Sequence, residues 1–89
     1  MKGKYIVIRS PFFESPILFS EGQGHNDLVF KDRIISAGFF RVWFEKGICK
    51  VGCWGQSDSL NIKSRGKEDA LLIKAFMREE YDEIPWEIV

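Results

Sequence analysis

The stretch that decides the fold is FFRVWFEKGICKVGCW, residues 39–54. Aromatic and β-branched residues recur in both halves of it, which is typical of β-strands. Residues 45–47 separate the two halves and end in Gly47. A three-residue connection that ends in glycine suits a turn whose last residue adopts a left-handed backbone conformation. The stretch therefore predicts a β-hairpin in which Val42 faces Lys50.

The predicted hairpin carries apolar side chains on both faces, because side chains alternate between the two faces of a strand. One face would carry Phe40, Val42, Phe44, Ile48 and Trp54, with Lys50 and Gly52 among them. The other face would carry Phe39, Trp43, Cys49, Val51 and Cys53, with Arg41 among them. An antiparallel sheet with one solvated face shows a cleaner alternation of apolar and polar residues. We therefore expect a C-terminal tail, a partner or a ligand to cover the face that the helix leaves.

The composition indicates one small folded domain over residues 1–89. The chain is 45% hydrophobic and 15% aromatic, which favours a packed core and argues against disorder. Its 13 basic and 13 acidic residues give a formal net charge of zero. No global field would steer such a protein to nucleic acid or to an anionic membrane, so neither is an expected partner.

The cysteines and the lack of an export signal predict a cytoplasmic protein. The apolar run at the start of the chain is shorter than a signal-peptide core, and no segment approaches the ~20 apolar residues of a membrane span. Cys49 and Cys53 lie on one predicted strand, about 13 Å apart at ~3.3 Å per residue. A disulfide needs Cα atoms within about 7 Å, so both thiols are expected to be free and to pack in the core.

The rest of the chain predicts short strands. They are predicted at 4–9, 17–19, 28–31, 34–44 and 60–63, with residues 12–13 as a short extension into the core. Gly38 lies inside the longest of these strands. It predicts a bulge or a bend there, because glycine weakens a strand unless the local geometry requires it.

A single helix is predicted over residues 64–81, with Ser64 as its N-cap. Its apolar stripe has helical spacing and would pack on the sheet through Ala70, Leu72, Ile73, Phe76 and Met77. Pro85 would stop the helix, and residues 82–89 are expected to be an extended C-terminal tail. The predicted fold is α+β: a single antiparallel, meander-like sheet of four to six strands, packed by one C-terminal helix.

The loop Gly22–Asp27 is the first candidate site. Gly22, Gly24 and Asn26 would let the backbone approach a small ligand or an anion, while His25, the only histidine, could pair with Asp27 for acid–base work. The alternative is an ordinary loop in which these residue types make turns. The spacing matches no known metal or phosphate signature, so we expect no metal site and no cofactor.

A second candidate, an anion site, combines Ser57 with Ser64 and Arg65 near the predicted helix N-terminus, where backbone N–H groups point outward. The alternative there is a turn followed by a plain helix cap. Arg41, between two aromatic residues, could stack on them or clamp a carboxylate, and a buried ion pair with the acidic C-terminal segment is an equal alternative.

The leading functional hypothesis is a non-enzymatic interaction module that self-associates or binds a protein partner. Apolar surface of this extent usually marks an interface, and homo-oligomers are the commonest assemblies. The expected interface residues are Phe39, Arg41, Trp43, Val51 and Trp86. The alternative is a small-ligand, anion or metal-dependent activity at the Gly22–Asp27 loop, carried by His25 and Asp27.

Overall fold

The computed structural model describes residues 1–22, 33–78 and 83–89. Its strands and helix are, in chain order, β1 (Lys2–Arg9), β2 (Glu14–Phe19), β3 (Ile34–Glu45), β4 (Ile48–Trp54), β5 (Gln56–Ser57), β6 (Ile62–Lys63), α1 (Lys67–Met77) and β7 (Trp86–Ile88). A five-stranded sheet has the order β2-β1-β3-β4-β7, and β5 and β6 form a separate small hairpin. The strand predicted at 28–31 lies outside the described residues.

The sheet and the helix confirm the predicted α+β class. Neighbouring strands of the sheet pair antiparallel, except that β7 runs parallel to β4. α1 lies against one face of the sheet, where it contacts β2, β4 and β7. In the described part of the chain, no helix is long and apolar enough to cross a membrane.

The central hairpin forms, but its register differs by one residue from the prediction. Val42 pairs with Val51 rather than with Lys50. The connection has two residues, Lys46 with φ 53° and Gly47 with φ 78°. Positive φ at both central positions is the type I′ turn, whose twist matches the twist of the flanking strands. The predicted register is wrong because Lys46 itself adopts the left-handed conformation that was assigned to glycine alone.

This change in register explains why both faces of the predicted hairpin carried apolar side chains. Shifting a strand by one residue moves all of its side chains to the opposite face. The face toward α1 collects the buried residues Phe40, Val42, Cys49, Val51 and Cys53. The face away from α1 collects Phe39, Arg41, Trp43, Ile48, Lys50 and Trp54. One side of the hairpin is therefore core, and the other mixes aromatic, basic and aliphatic groups.

α1 packs on the sheet through a narrower stripe than predicted. Ala70 and Ile73 are fully buried, and Met77 packs against the same cluster. Phe76, predicted to belong to the stripe, is 63% exposed because it lies to one side of the line that the buried residues define. The helix begins at Lys67, three residues later than predicted, and Gly66 is its N-cap.

A bulge does occur in β3, at a different place from the prediction. Val7 pairs with Ser36 and Ile8 pairs with Ile34, so Ile35 is the extra residue. Gly38 pairs regularly with Tyr5. Glycine is needed at position 38 because a Cβ there would collide with the carbonyl oxygen of Trp54.

The C-terminal tail and the small hairpin lie on opposite sides of the sheet. β7 extends the sheet edge beside β4, and its Trp86 and Ile88 pack against the core on the helix side. β5 and β6 replace the turn and single strand predicted for 55–63, and their connection lies on the other face, where Leu60 contacts a cluster around Ile6 and Ala37. The β5–β6 hairpin therefore covers the part of this face around Ile6 and Ala37. The apolar side chains of the tail do not cover the part of the face formed by β3 and β4, because they pack on the helix side.

Candidate functional site

The strongest candidate surface is the part of the sheet that faces away from α1. We call it the aromatic–basic face and define it by Phe39, Arg41, Trp43, Ile48, Lys50 and Trp54. Strand pairing places these groups in rows across the sheet. Lys4 lies opposite Phe39, which lies opposite Trp54, while Trp43 lies opposite Lys50. Lys2 and Glu87 extend the face at its two sides.

Contacts between neighbouring side chains hold the aromatic rings of this face in place. The rings of Phe39 and Trp54 are stacked, with centroids 6.3 Å apart and planes 24° apart. The guanidinium carbon of Arg41 lies 4.5 Å from the centroid of the Trp43 ring. Such cation–π contacts contribute about 0.5–1 kcal/mol at exposed sites. The neighbouring side chains therefore restrain these rings, although Trp54 is still 50% exposed.

Glu45 balances part of the positive charge at the turn end of the face. Its carboxylate lies 3.2 Å from Lys50 Nζ and accepts a hydrogen bond from Trp43 Nε1 at 3.3 Å. Hydrogen bonds from Lys50 and from Trp43 lower the pKa of Glu45. Both signs of charge are thus present, which differs from the uniformly basic surface of nucleic-acid-binding domains. Aromatic rings with arginine and a polar rim are instead typical of protein interfaces.

The structure separates the predicted interface residues into two groups. Phe39, Arg41 and Trp43 share the aromatic–basic face, and Arg41 is exposed there and stacks on a ring. Val51 is fully buried beneath α1, and Trp86 lies beside Cys49 on the helix side of the sheet. Val51 was therefore wrongly placed by the one-residue error in register.

Sequence reasoning missed Trp54 as a member of this face. The predicted register put it with Phe40, on the side that the helix covers. The signal was present, because a two-residue Lys46–Gly47 turn would have placed Trp54 directly opposite Phe39.

A buried polar network lies on the other side of the sheet, at the start of α1. Asp69 is fully buried, and its carboxylate accepts hydrogen bonds from the Tyr5 hydroxyl at 2.6 Å and from Arg65 N and Nε at 2.9 and 2.8 Å. Because the Tyr5 proton goes to Asp69, Ser64 Oγ donates its own proton to the Tyr5 oxygen, 2.5 Å away. The Arg65 guanidinium also forms an ion pair with Glu14, whose carboxylate oxygen lies 3.0 Å from Arg65 Nη2.

This network closes the helix N-terminus and is poorly suited to catalysis. Burial and the hydrogen bond to Asp69 raise the pKa of the Tyr5 phenol well above its usual value of 10.0. Burial and the charge of Asp69 raise the pKa of the Cys53 thiol to about 12. Neither group supplies an anion near neutral pH, and a thiol is nucleophilic only as its thiolate.

The residues predicted for an anion site are engaged in local structure. Ser64 is not the N-cap, since its Oγ accepts the Gly66 N–H at 3.0 Å before the helix begins. Arg65 lies within ion-pair distance of Asp69, Glu14 and Glu68, so its charge is already neutralised. Ser57 Oγ accepts the Leu60 N–H at 3.3 Å and closes the turn between β5 and β6.

The histidine loop falls almost wholly outside the described residues. Gly22 lies in a turn, whereas Gly24, His25, Asn26 and Asp27 are not described, so the acid–base hypothesis stays a prediction. Within residues 1–22, 33–78 and 83–89, no group of three or more His, Cys, Asp or Glu side chains could hold a metal ion.

An apolar cavity lies at the turn end of the β3–β4 hairpin, near the end of α1. It has a volume of about 440 Å³. Its described walls are Met1, Val42, Trp43, Phe44, Cys49 and Met77. The cavity brings together side chains that are distant in sequence, and no motif marks it.

Comparison with known proteins leaves the geometry as the guide to function. The features that bear on it are the aromatic–basic face, the closed network around Asp69 and the apolar cavity. No protein-family model, curated protein or solved structure matches this chain.

Proposed function

We propose that this protein is a non-enzymatic interaction module that binds a protein surface through the aromatic–basic face, with a second copy of the chain as its first partner. The observation that carries the proposal is that the half-exposed Trp54, which stacks on Phe39, and the exposed Arg41 lie on the same face.

The chemistry of the face suits a protein partner. Tryptophan and arginine are over-represented among the interface residues whose truncation to alanine lowers the binding free energy most. An aromatic side chain buries about 150–250 Å² when fully covered, so the half-exposed rings retain apolar area that a partner could remove from water. Because stacking already restrains the rings of Phe39 and Trp54, less conformational entropy is lost on binding.

The same face is suited to pairing with itself. A two-fold dimer places one surface patch against an identical patch, so the patch must complement itself. Arg41 and Lys2 supply positive charge, while Glu45 and Glu87 supply negative charge at other positions of the face. A rotation that brings unlike charges together gives electrostatic complementarity without a net charge on either copy.

The test is the solution mass across a dilution series, measured by size-exclusion chromatography with light scattering. We expect the wild-type chain to pass from dimer to monomer on dilution, and a Trp54→Glu chain to reach the monomer mass at a clearly higher protein concentration than the wild type does. Phe76→Glu is the matched control, because it adds the same charge at an exposed aromatic position on α1. It should associate like the wild type.

Two results would overturn the proposal. One is a wild-type chain that stays monomeric at every concentration. The other is a Trp54→Glu chain that associates as the wild type does while its circular dichroism and unfolding midpoint are unchanged. The first removes self-association, and the second removes this face as its basis.

A further inference from the structure

The turn between β1 and β2 presents two adjacent phenylalanines to solvent. Phe12 is 93% exposed and Phe13 is 64% exposed, although the sequence predicted that both extend into the core. Among the described residues, Phe44 and Phe76 are also exposed, but Phe12 is the most exposed of the large apolar side chains. We call residues 10–13 the phenylalanine tip.

Hydrogen bonds within the turn make the tip rigid. Ser10 N donates to Phe13 O at 2.9 Å, and Ser10 Oγ donates to the same oxygen at 3.0 Å. The Phe13 N–H lies 3.3 Å from Ser10 Oγ, and Pro11 fixes its own φ angle. A tip that is already ordered loses little backbone entropy when it binds. Its exposed rings also leave apolar area in water, and removing that area from water would gain about 25 cal/mol of free energy per Å².

The apolar cavity lies at the opposite end of β1 from the tip. β1 runs from Lys2, next to the Met1 wall of the cavity, to Arg9, which precedes the tip. An eight-residue strand is about 27 Å long at ~3.4 Å per residue. The tip is therefore too far away to fill the cavity of its own chain.

We propose that the phenylalanine tip of one copy docks into the apolar cavity of a second copy. Pockets of about 300–1,000 Å³ accommodate small-molecule ligands, so a cavity of about 440 Å³ has room for a phenyl ring. Both surfaces are apolar, and they lie at opposite ends of the molecule. The contact is therefore head-to-tail and leaves a free tip and a free cavity on the outer copies, so that assembly continues into rings or chains.

The contact is weak and does not require the aromatic–basic face. A tip of two rings buries less than the roughly 1,200–2,000 Å² of a stable interface, so association needs a high protein concentration. Trp43 is the only residue shared between the face and the described cavity walls, and the tests avoid it. Tip docking and pairing of the faces can thus be measured separately.

The experiment mixes a chain without a tip with a chain without a cavity. Phe12→Ser removes the more exposed ring of the tip, and Phe44→Glu places a charge in the cavity wall at a position that is 57% exposed. An equimolar mixture contains one intact tip and one intact cavity per pair. Native mass spectrometry should show the mixed dimer in roughly tenfold excess over either self-dimer, because each self-dimer lacks one half of the contact.

Pairing of the aromatic–basic faces would give a different result. Neither substitution touches that face, so face pairing alone would yield mixed and self dimers in statistical proportions. Statistical proportions would overturn the docking of the tip and leave the proposed function standing. A mixed dimer in excess would support the docking whether or not the faces also pair.

Further variants guard against unfolding as an explanation. Circular dichroism and urea unfolding should show that Phe12→Ser and Phe44→Glu fold as the wild type does. Met77→Glu removes the cavity at a second position, and Phe76→Glu adds the same charge beside it on α1, outside the described walls. Met77→Glu should also give mixed dimers in excess with Phe12→Ser, and Phe76→Glu should not. The same outcome for both helix variants would overturn the proposal.

Discussion

Phe39 and Phe40 are neighbours in β3, yet they lie on opposite faces of the sheet. Phe40 is 2% exposed beneath α1, whereas Phe39 is half-buried and stacks on Trp54. On the helix side, Asp69 is the centre of a closed hydrogen-bond network with Tyr5 and Arg65. On the other side, aromatic, basic and acidic groups alternate at the surface. The hairpin thus contributes core residues on one face, and its other face carries groups suited to contact.

The two faces also differ in what a carboxylate does. Asp69 is fully buried and receives three hydrogen bonds, whereas the Glu45 side chain is 51% exposed and pairs with Lys50 in solvent. Exposed ion pairs contribute about 0–1 kcal/mol, while removing one partner of a buried pair leaves the other uncompensated. The same type of group is therefore structural on one face and nearly dispensable for folding on the other.

The largest effect is expected for Asp69→Ala. Losing this carboxylate leaves the Tyr5 hydroxyl and two Arg65 donors without their acceptor, at a cost of about 3–5 kcal/mol in the free energy of unfolding. Urea titration measures the loss, with Glu45→Ala as the control on the other face, where an exposed ion pair should contribute far less to the free energy of unfolding. Equal losses in the two variants would remove the distinction between the faces.

A smaller effect is expected for a buried aliphatic residue. Val51→Ala removes two methyl groups from the core beneath α1 and should lower the free energy of unfolding by about 2–3 kcal/mol. Ile48→Ala is the matched control, because Ile48 lies on the same strand, faces away from α1 and is only half-buried. Its cost should be clearly smaller in the same urea titration. A larger cost for Ile48→Ala would mean that the sides of β4 are assigned the wrong way round.

Much of the fold was predictable because it depends on local patterns. The hairpin, the α+β class and the existence of a C-terminal helix follow from strand propensities, one turn and one stripe at helical spacing. The register was not predictable in the same way, since it depended on whether Lys46 adopts a positive φ angle. Residues other than glycine seldom have a positive φ angle, so a three-residue connection ending in glycine was the more natural prediction.

The candidate sites were less predictable, because their parts come together only in the fold. Tyr5 and Asp69 are 64 residues apart in the chain, and nothing in either local sequence indicates that they meet. The bulge at Ile35 depends on how β3 pairs with β1, which the sequence of β3 alone does not determine. Phe39, Arg41 and Trp43 were correctly predicted to share one face of the sheet. Ile48, Lys50 and Trp54 were assigned to the opposite face, because the predicted register was wrong by one residue.

The smallest of these effects tests the network through Tyr5. Tyr5→Phe leaves Asp69 and Ser64 short of one hydrogen bond each and should lower the free energy of unfolding by about 1–2 kcal/mol near neutral pH.

In the folded protein, burial and Asp69 raise the pKa of the Tyr5 phenol above its usual value of 10.0, while the phenol of the unfolded chain titrates near that value. The stabilisation by Tyr5 is thus fully present below about pH 10 and falls as pH rises further, by roughly 1.4 kcal/mol per pH unit. Urea titrations of both proteins from neutral pH to beyond pH 10 should show the gap between them narrowing only at the alkaline end. If the difference in free energy of unfolding stayed constant, the Tyr5 phenol would have the same pKa in the folded and unfolded states. Tyr5 would then behave like a tyrosine exposed to solvent, in contradiction to its place in the buried network.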